Sequence, residues 1–249
     1  MNRLARMLLT NIVRVPGAYW KLCRYAKHPD RYSEEEKYNH IRYIFNRAIK
    51  GGNVELQVFG QENIPETDGY MMYANHQGLF DIIALVSAME KPWAVVLKKE
   101  LFKIPLIKQM VQCTKSFTMD REDIKQSMGV ILSVIKEVKS GRNYLIFPEG
   151  TRSHGNRLLE FHGGSFKCAL KAQCPILPIA IIDSYKVLDQ KGSKKLTVQL
   201  HYLEPIPYEE FKGMATPELA AMVRARIEAK VLEQTQNSEN VKNSEEEQN

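Results

Sequence analysis

The sequence predicts an α/β domain with a central, mostly parallel or mixed sheet flanked by helices, preceded by an N-terminal amphipathic two-helix element. Three observations point there. From about residue 51 onward, short apolar runs of strand length alternate with longer stretches of helical periodicity. The segment before Asp30 carries six Lys or Arg and no acid. Two polar, chemistry-bearing blocks each follow an apolar strand-like run, at the position where α/β sheets collect their sites.

The elements follow in order. On a helical wheel Leu4, Leu8, Ile12, Val15, Tyr19 and Leu22 form one stripe, while Arg3, Arg6, Arg14, Lys21, Arg24 and Lys27 lie on the other side. Such a pattern fits a terminal helix packed on a core, but a basic face without acids also suits anionic lipid, so a helix lying on a membrane surface is the favoured reading. Pro16 removes a helical hydrogen bond and is expected to divide the segment. Ser33 followed by Glu36 is a capping box that opens a helix over 34–49, stopped by Gly51 and Gly52. Residues 54–59 and 70–73 read as strands around a turn at 64–69, and 79–89 as a helix. Strand 93–97, a short helix over 104–110 and a helix over 122–140 come next, the last with Ile124, Met128, Ile131, Leu132, Ile135 and Val138 as its apolar stripe. Residues 144–147 and 176–182 are short apolar strands, and Pro178 places the second toward an edge or a bend. Thr216 starts a final helix with Pro217 at its first position. The expected division is a two-helix element over 1–50, a catalytic domain over 51–233, and a polar tail over 234–249 too poor in apolar residues to order itself.

The 249 residues, 44% of them hydrophobic, suffice for one domain with a full core. Cysteines 23, 113, 168 and 174 form no C-x-x-C pair and no zinc-type spacing with the six histidines, so neither a disulfide framework nor a metal site is expected. No apolar run reaches the roughly 18 residues of a membrane span. No compact apolar segment with a small-residue cleavage site follows the basic start, so a secretory signal is not expected either. The expected location is the cytoplasmic face of the membrane, held peripherally, with no nucleic-acid partner.

Chemistry concentrates first in Asn75-His76-Gln77-Gly78-Leu79-Phe80-Asp81. Residues five apart stand about 140° apart on one helix and cannot share its face. His76 and Asp81 can meet if the histidine leaves a strand and the aspartate sits in the first turn of the next helix. A carboxylate on one imidazole nitrogen supports the charge that develops when the other takes a proton, which makes a general base. The second block, Phe147-Pro148-Glu149-Gly150-Thr151-Arg152-Ser153, also follows a strand. In it Gly150 permits close backbone approach and Arg152 offers a forked guanidinium suited to phosphate. The lysines at 98, 99 and 103 add positive potential or form a solvated face.

Together the two blocks resemble signature motifs of the glycerolipid acyltransferases, specifically the 1-acyl-glycerol-3-phosphate acyltransferase family. Phe117-Thr118-Met119-Asp120-Arg121 is similar to a further motif, and Cys174-Pro175-Ile176-Leu177-Pro178-Ile179 to a fourth, so the resemblance spans roughly residues 55–185. It implies that His76, oriented by Asp81 and supported by Asn75 and Gln77, deprotonates the hydroxyl of a lysophosphatidate that attacks an acyl-CoA or acyl-carrier-protein thioester. It also implies that Arg121 and Arg152, with Glu149, Gly150 and Thr151, hold the substrate phosphate. The N-terminal helices resemble the family's membrane-docking element. No cofactor is implied beyond the acyl donor. Two departures stand out: Gly78 replaces a common serine, and Cys113-Thr114-Lys115-Ser116 lacks the glycine often found before the arginine. With no hydroxyl at 78 and no G-x-S-x-G elbow, single-step transfer is the simpler mechanism. A hydrolase using the same pair and a non-catalytic lipid-binding protein are the rival readings.

Overall fold

Pro16 sits where its missing N–H costs nothing. In the computed structural model, which describes residues 2–120 and 122–246, the N-terminal segment forms α1 (Arg3–Leu9), a turn, and α2 (Val15–Lys27), with Pro16 in the first turn of α2. Helix α3 (Glu34–Gly51) begins at Ser33, whose side chain accepts from the Glu36 N–H. The chain continues through β1 (Val54–Phe59), β2 (Met71–Ala74), α4 (Phe80–Ala88), β3 (Ala94–Lys98), α5 (Ile107–Thr114), β4 (Phe117–Met119), α6 (Ile124–Lys139) and β5 (Tyr144–Ile146). It ends with α7 (Lys167–Ala172), β6 (Ile176–Ile182), α8 (Tyr185–Asp189), β7 (Leu196–Tyr202), α9 (Tyr208–Phe211) and α10 (Thr216–Glu246).

The seven strands form one mixed sheet in the order β1-β7-β6-β2-β5-β3-β4, parallel throughout except between β6 and β7. This is the flanked α/β sheet that the alternation of elements predicts. Alternate residues of β2 feed opposite sides. Met72 and Ala74 pack into a core with Leu22, Tyr38, Phe45 and Phe80 of the N-terminal helices and α4, while Met71 and Tyr73 pack with Val134, Phe166, Val223 and Ile227 beneath α6, α7 and α10.

Three sequence expectations change. Strand β6 is central, not an edge, and all seven residues are buried. The Pro178 carbonyl accepts from Leu203 N–H, so the absent proline donor points to the same side, at the end of the β7 ladder, and no bond to β2 is lost. Strands β4 and β7 were not foreseen, although Leu196, Val198, Leu200 and Tyr202 alternate with polar residues at strand period. Helix α10 runs on to Glu246 where a disordered tail was expected from residue 234. A helix already nucleated on the core by Leu219, Val223 and Ile227 extends through helix-tolerant residues free of Gly and Pro at little cost.

Candidate active site

His76, Phe147 and Ser184 follow the carboxyl ends of β2, β5 and β6, which are neighbours and mutually parallel. The topology therefore brings three sequence-distant loops to one sheet edge. Asp81 occupies the first turn of α4 and is fully buried. Its Oδ2 accepts from the backbone N–H groups of Gln77 at 2.7 Å and Gly78 at 3.1 Å and lies 2.7 Å from His76 Nδ1. Its Oδ1 accepts from the Ser184 hydroxyl. Since every other neighbour donates to this carboxylate, Nδ1 also donates, and Nε2 is left to accept a proton. The loop wraps its own N–H groups around the carboxylate, which is how a spacing too wide for one helical face becomes a contact. The His76 ring stacks on Phe147, centroids 4.1 Å apart, and its side chain is 20% exposed.

The second block is sewn to the first. Ser153 N–H donates to His76 O at 2.8 Å, and His154 N–H to Gln77 O at 3.2 Å. Gly150 takes φ +71, a conformation suited to glycine, in the turn between them. Glu149, read from the sequence as part of the phosphate site, is turned inward and buried. Its Oε1 accepts from the His76 N–H at 2.8 Å and its Oε2 from the Leu159 N–H at 3.0 Å. Burial pushes its carboxyl above the usual range. With both oxygens engaged by backbone donors, Glu149 positions the His76 backbone instead of receiving an anion. Arg152 is half-buried with no ion pair among the described residues, and Thr151 is exposed. Arg121 lies outside the described residues, although β4 two residues before it ends on the same edge.

Asn75 and Gln77 are supporting groups. Asn75 exchanges both amide atoms with the Ile181 backbone at 2.8 and 2.9 Å. Gln77 accepts from Ser184 N–H at 2.9 Å and donates to Ile181 O at 2.8 Å and Asn156 Oδ1 at 2.9 Å. Asn156 in turn donates to Asp183 at 2.9 Å. Ser184, Asn156 and Asp183 escaped the sequence reading. The only signal was an Asp-Ser pair following an apolar strand, as His76 follows its own. Among the described residues no cluster of three or more metal-type side chains forms. The lysine cluster is exposed, with Lys98 and Lys99 paired to Glu100 and Asp120 at 3.5 and 3.3 Å.

The N-terminal stripe divides in two. Leu4, Leu8, Ile12, Val15 and Tyr19 are exposed, joined by Leu9, Val13 and Trp20. Leu22 is buried in the core, and Arg3, expected on the basic face, is only 4% exposed because its guanidinium donates to Gly52 O and Lys194 O at 2.8 and 2.9 Å. Arg3 ties α1 to the sheet domain and is not available to a surface. Arg14 and Lys21 remain exposed, while Arg6 donates to Ser193 O at 3.2 Å. No helix among the described residues is long and apolar enough to cross a membrane.

The acyltransferase family model matches residues 55–182, from β1 through β6 and therefore across both blocks. The chain belongs to the acyltransferase family. The 1-acyl-sn-glycerol-3-phosphate acyltransferases of Salmonella typhimurium and Escherichia coli are each 32% identical to it over 170 residues, covering 68% of this chain and 69% of theirs. The alpha form of that enzyme from Bos taurus is 27% identical over 189 residues, 74% of this chain and 63% of its own. The crystal structure of the 1-acyl-sn-glycerophosphate acyltransferase of Thermotoga maritima matches this acyltransferase with a TM-score of 0.73 and 22% identity, over 94% of this chain and 98% of that one, and shares its fold. The protein is an enzyme, an acyltransferase acting in phospholipid synthesis.

Proposed function

We propose that this acyltransferase moves an acyl chain from acyl-CoA or acyl-carrier protein to the 2-hydroxyl of 1-acyl-sn-glycerol-3-phosphate, giving phosphatidic acid. The observation that carries the reading is the His76–Asp81 pair, 2.7 Å apart, with the carboxylate held by three further donors. His76 Nε2 accepts the hydroxyl proton as the oxygen attacks the thioester carbonyl. The C–S bond then breaks, and the departing thiolate takes the proton from the imidazole. Asp81 supports the transient charge and fixes the ring. Arg152, with no ion pair among the described residues, and Arg121 hold the phosphate. The substrates named for the Salmonella and Escherichia enzymes support this acceptor.

The same reading has the enzyme lie on the cytoplasmic face of an anionic membrane. Leu4, Leu8, Leu9, Ile12, Val13, Val15, Tyr19 and Trp20 would enter the interface beside Arg14, Lys21 and Arg24. Trp20, 63% exposed with the Arg24 guanidinium 5.7 Å from its ring, suits the headgroup level.

The test is a mass-resolved product assay with lysophosphatidate and a panel of CoA and carrier-protein thioesters. Phosphatidic acid should form only with both substrates, and His76→Ala should lower the rate by roughly 10²- to 10⁴-fold. Thiol released at full rate without acceptor would make the enzyme a hydrolase, and lipid binding with no turnover would make it a carrier.

A further inference from the structure

A second imidazole–carboxylate pair lies against the catalytic loop. His154 Nδ1 is 2.5 Å from Asp189 Oδ2, and the His154 backbone N–H is the one that donates to Gln77 O. The other ring nitrogen has no partner among the described residues, and the side chain is 54% exposed. His154 also holds φ +53, the left-handed region that costs a non-glycine residue free energy, although Gly155 stands next to it. The two contacts hold the ring in that conformation.

Helix α8 links this pair to the first. Its N-cap, Ser184, donates to Asp81, and its last residue is Asp189. Gly78 packs closely against the start of α8. A Cβ there would stand 3.3 Å from Tyr185 Cα and 3.8 Å from Asp189 Oδ2. A side chain there would press on the α8 backbone.

Asp183, nearby, is occupied internally, by Lys186 at 2.7 Å and by the Asn156 amide. Arg152 and His154 Nε2 are different. Neither has a partner among the described residues, and they stand two residues apart on one loop, where a phosphate can share them.

We propose that His154, oriented by Asp189, is a further substrate-binding residue that contacts a phosphate monoester together with Arg152. The inference rests on the function proposed above. Two substrates carry that chemistry, lysophosphatidate in its headgroup and acyl-CoA in its 3′-phosphate.

The experiment is steady-state kinetics on the full chain for the wild type, His154→Asn, His154→Arg and Asp189→Asn. Each substrate is varied at saturation of the other, with acyl-dephospho-CoA as an added donor. Asn tolerates the left-handed backbone, so His154→Asn removes the imidazole with the least strain. We expect that variant to raise one KM roughly tenfold with kcat within about twofold, as loss of a charge-assisted hydrogen bond would. His154→Arg should restore most of the loss, and Asp189→Asn should raise the same KM less, carrying the test should His154→Asn fold poorly. A rise confined to lysophosphatidate assigns the acceptor headgroup. A rise confined to acyl-CoA and absent with the dephospho donor assigns the 3′-phosphate. Unchanged KM values for both substrates, or a fall in kcat alone, would overturn the proposal. A wild type that does not acylate lysophosphatidate at all would instead refute the function on which it rests.

Discussion

Asp81 is a buried carboxylate whose charge is met wholly by donors, three from its own loop and one from Ser184. Ser184→Ala leaves Oδ1 without a partner and should lower kcat by about tenfold with KM unchanged, since a hydrogen bond to a charged group contributes about 1.5 to 3 kcal/mol. A change in KM of equal size would place Ser184 on the substrate instead. Glu149→Gln keeps the shape but turns one acceptor into a donor facing a backbone N–H. It should destabilise the fold by about 1 to 3 kcal/mol and depress kcat, readable by denaturant melts and initial rates. His76 and Asp81 were legible in the sequence because their meeting is local, settled within one loop and one helical turn. Ser184 stands 103 residues from Asp81 and becomes its partner only because β6 lies beside β2. Glu149 was misread for another reason: nothing in a sequence says whether a carboxylate faces a ligand or a backbone amide.

At the scale of elements, the helices declared themselves best. Tyr38, Ile41 and Phe45 of α3 keep one face buried over several turns, whereas α6 buries Val130, Val134 and Val138 and leaves Ile124, Met128 and Leu132 of its expected stripe exposed, so its extent was legible and its buried face was not. Strand β4 has only three half-buried residues and little pattern to read. The N-terminal stripe mixed two roles that periodicity cannot separate, since Leu22 belongs to the core and Leu8 and Ile12 to the surface, where Val13 from outside the stripe joins them. Those three are 54%, 62% and 88% exposed, so replacing each with Glu should leave the melting temperature nearly unchanged. Binding to vesicles containing phosphatidylglycerol should fall by at least roughly tenfold, because each side chain forgoes about 1.5 to 3 kcal/mol of apolar burial. Undiminished binding in a sedimentation assay would remove α1 and the following turn from the membrane contact.

For the whole molecule, acid should act through the sheet as well as the site. His201 on β7 is buried and stacked on Phe59 at 4.6 Å, and burial, assisted by Lys230, holds its pKa down to about 4 against an ordinary 6.5. Between those values the unfolded chain binds a proton that the folded chain refuses. This contribution to stability is therefore complete above pH 6.5 and declines as the pH falls toward 4. His201→Gln should flatten the decline of melting temperature between about pH 7 and about pH 4.5. Parallel curves for the two proteins would assign the acid sensitivity elsewhere.

The stitch between the loops after β2 and β5 has a consequence for how this molecule can vary. Glu149, Ser153 and His154 each clasp a fixed partner on or beside residue 76, at intervals that leave no slack. An extra residue between 149 and 153 would unfasten the carboxylate or the amides, and with them the base. Length in this stretch is as tightly bound as chemistry, so the enzyme can change what it grips by exchanging side chains but not by growing the loop.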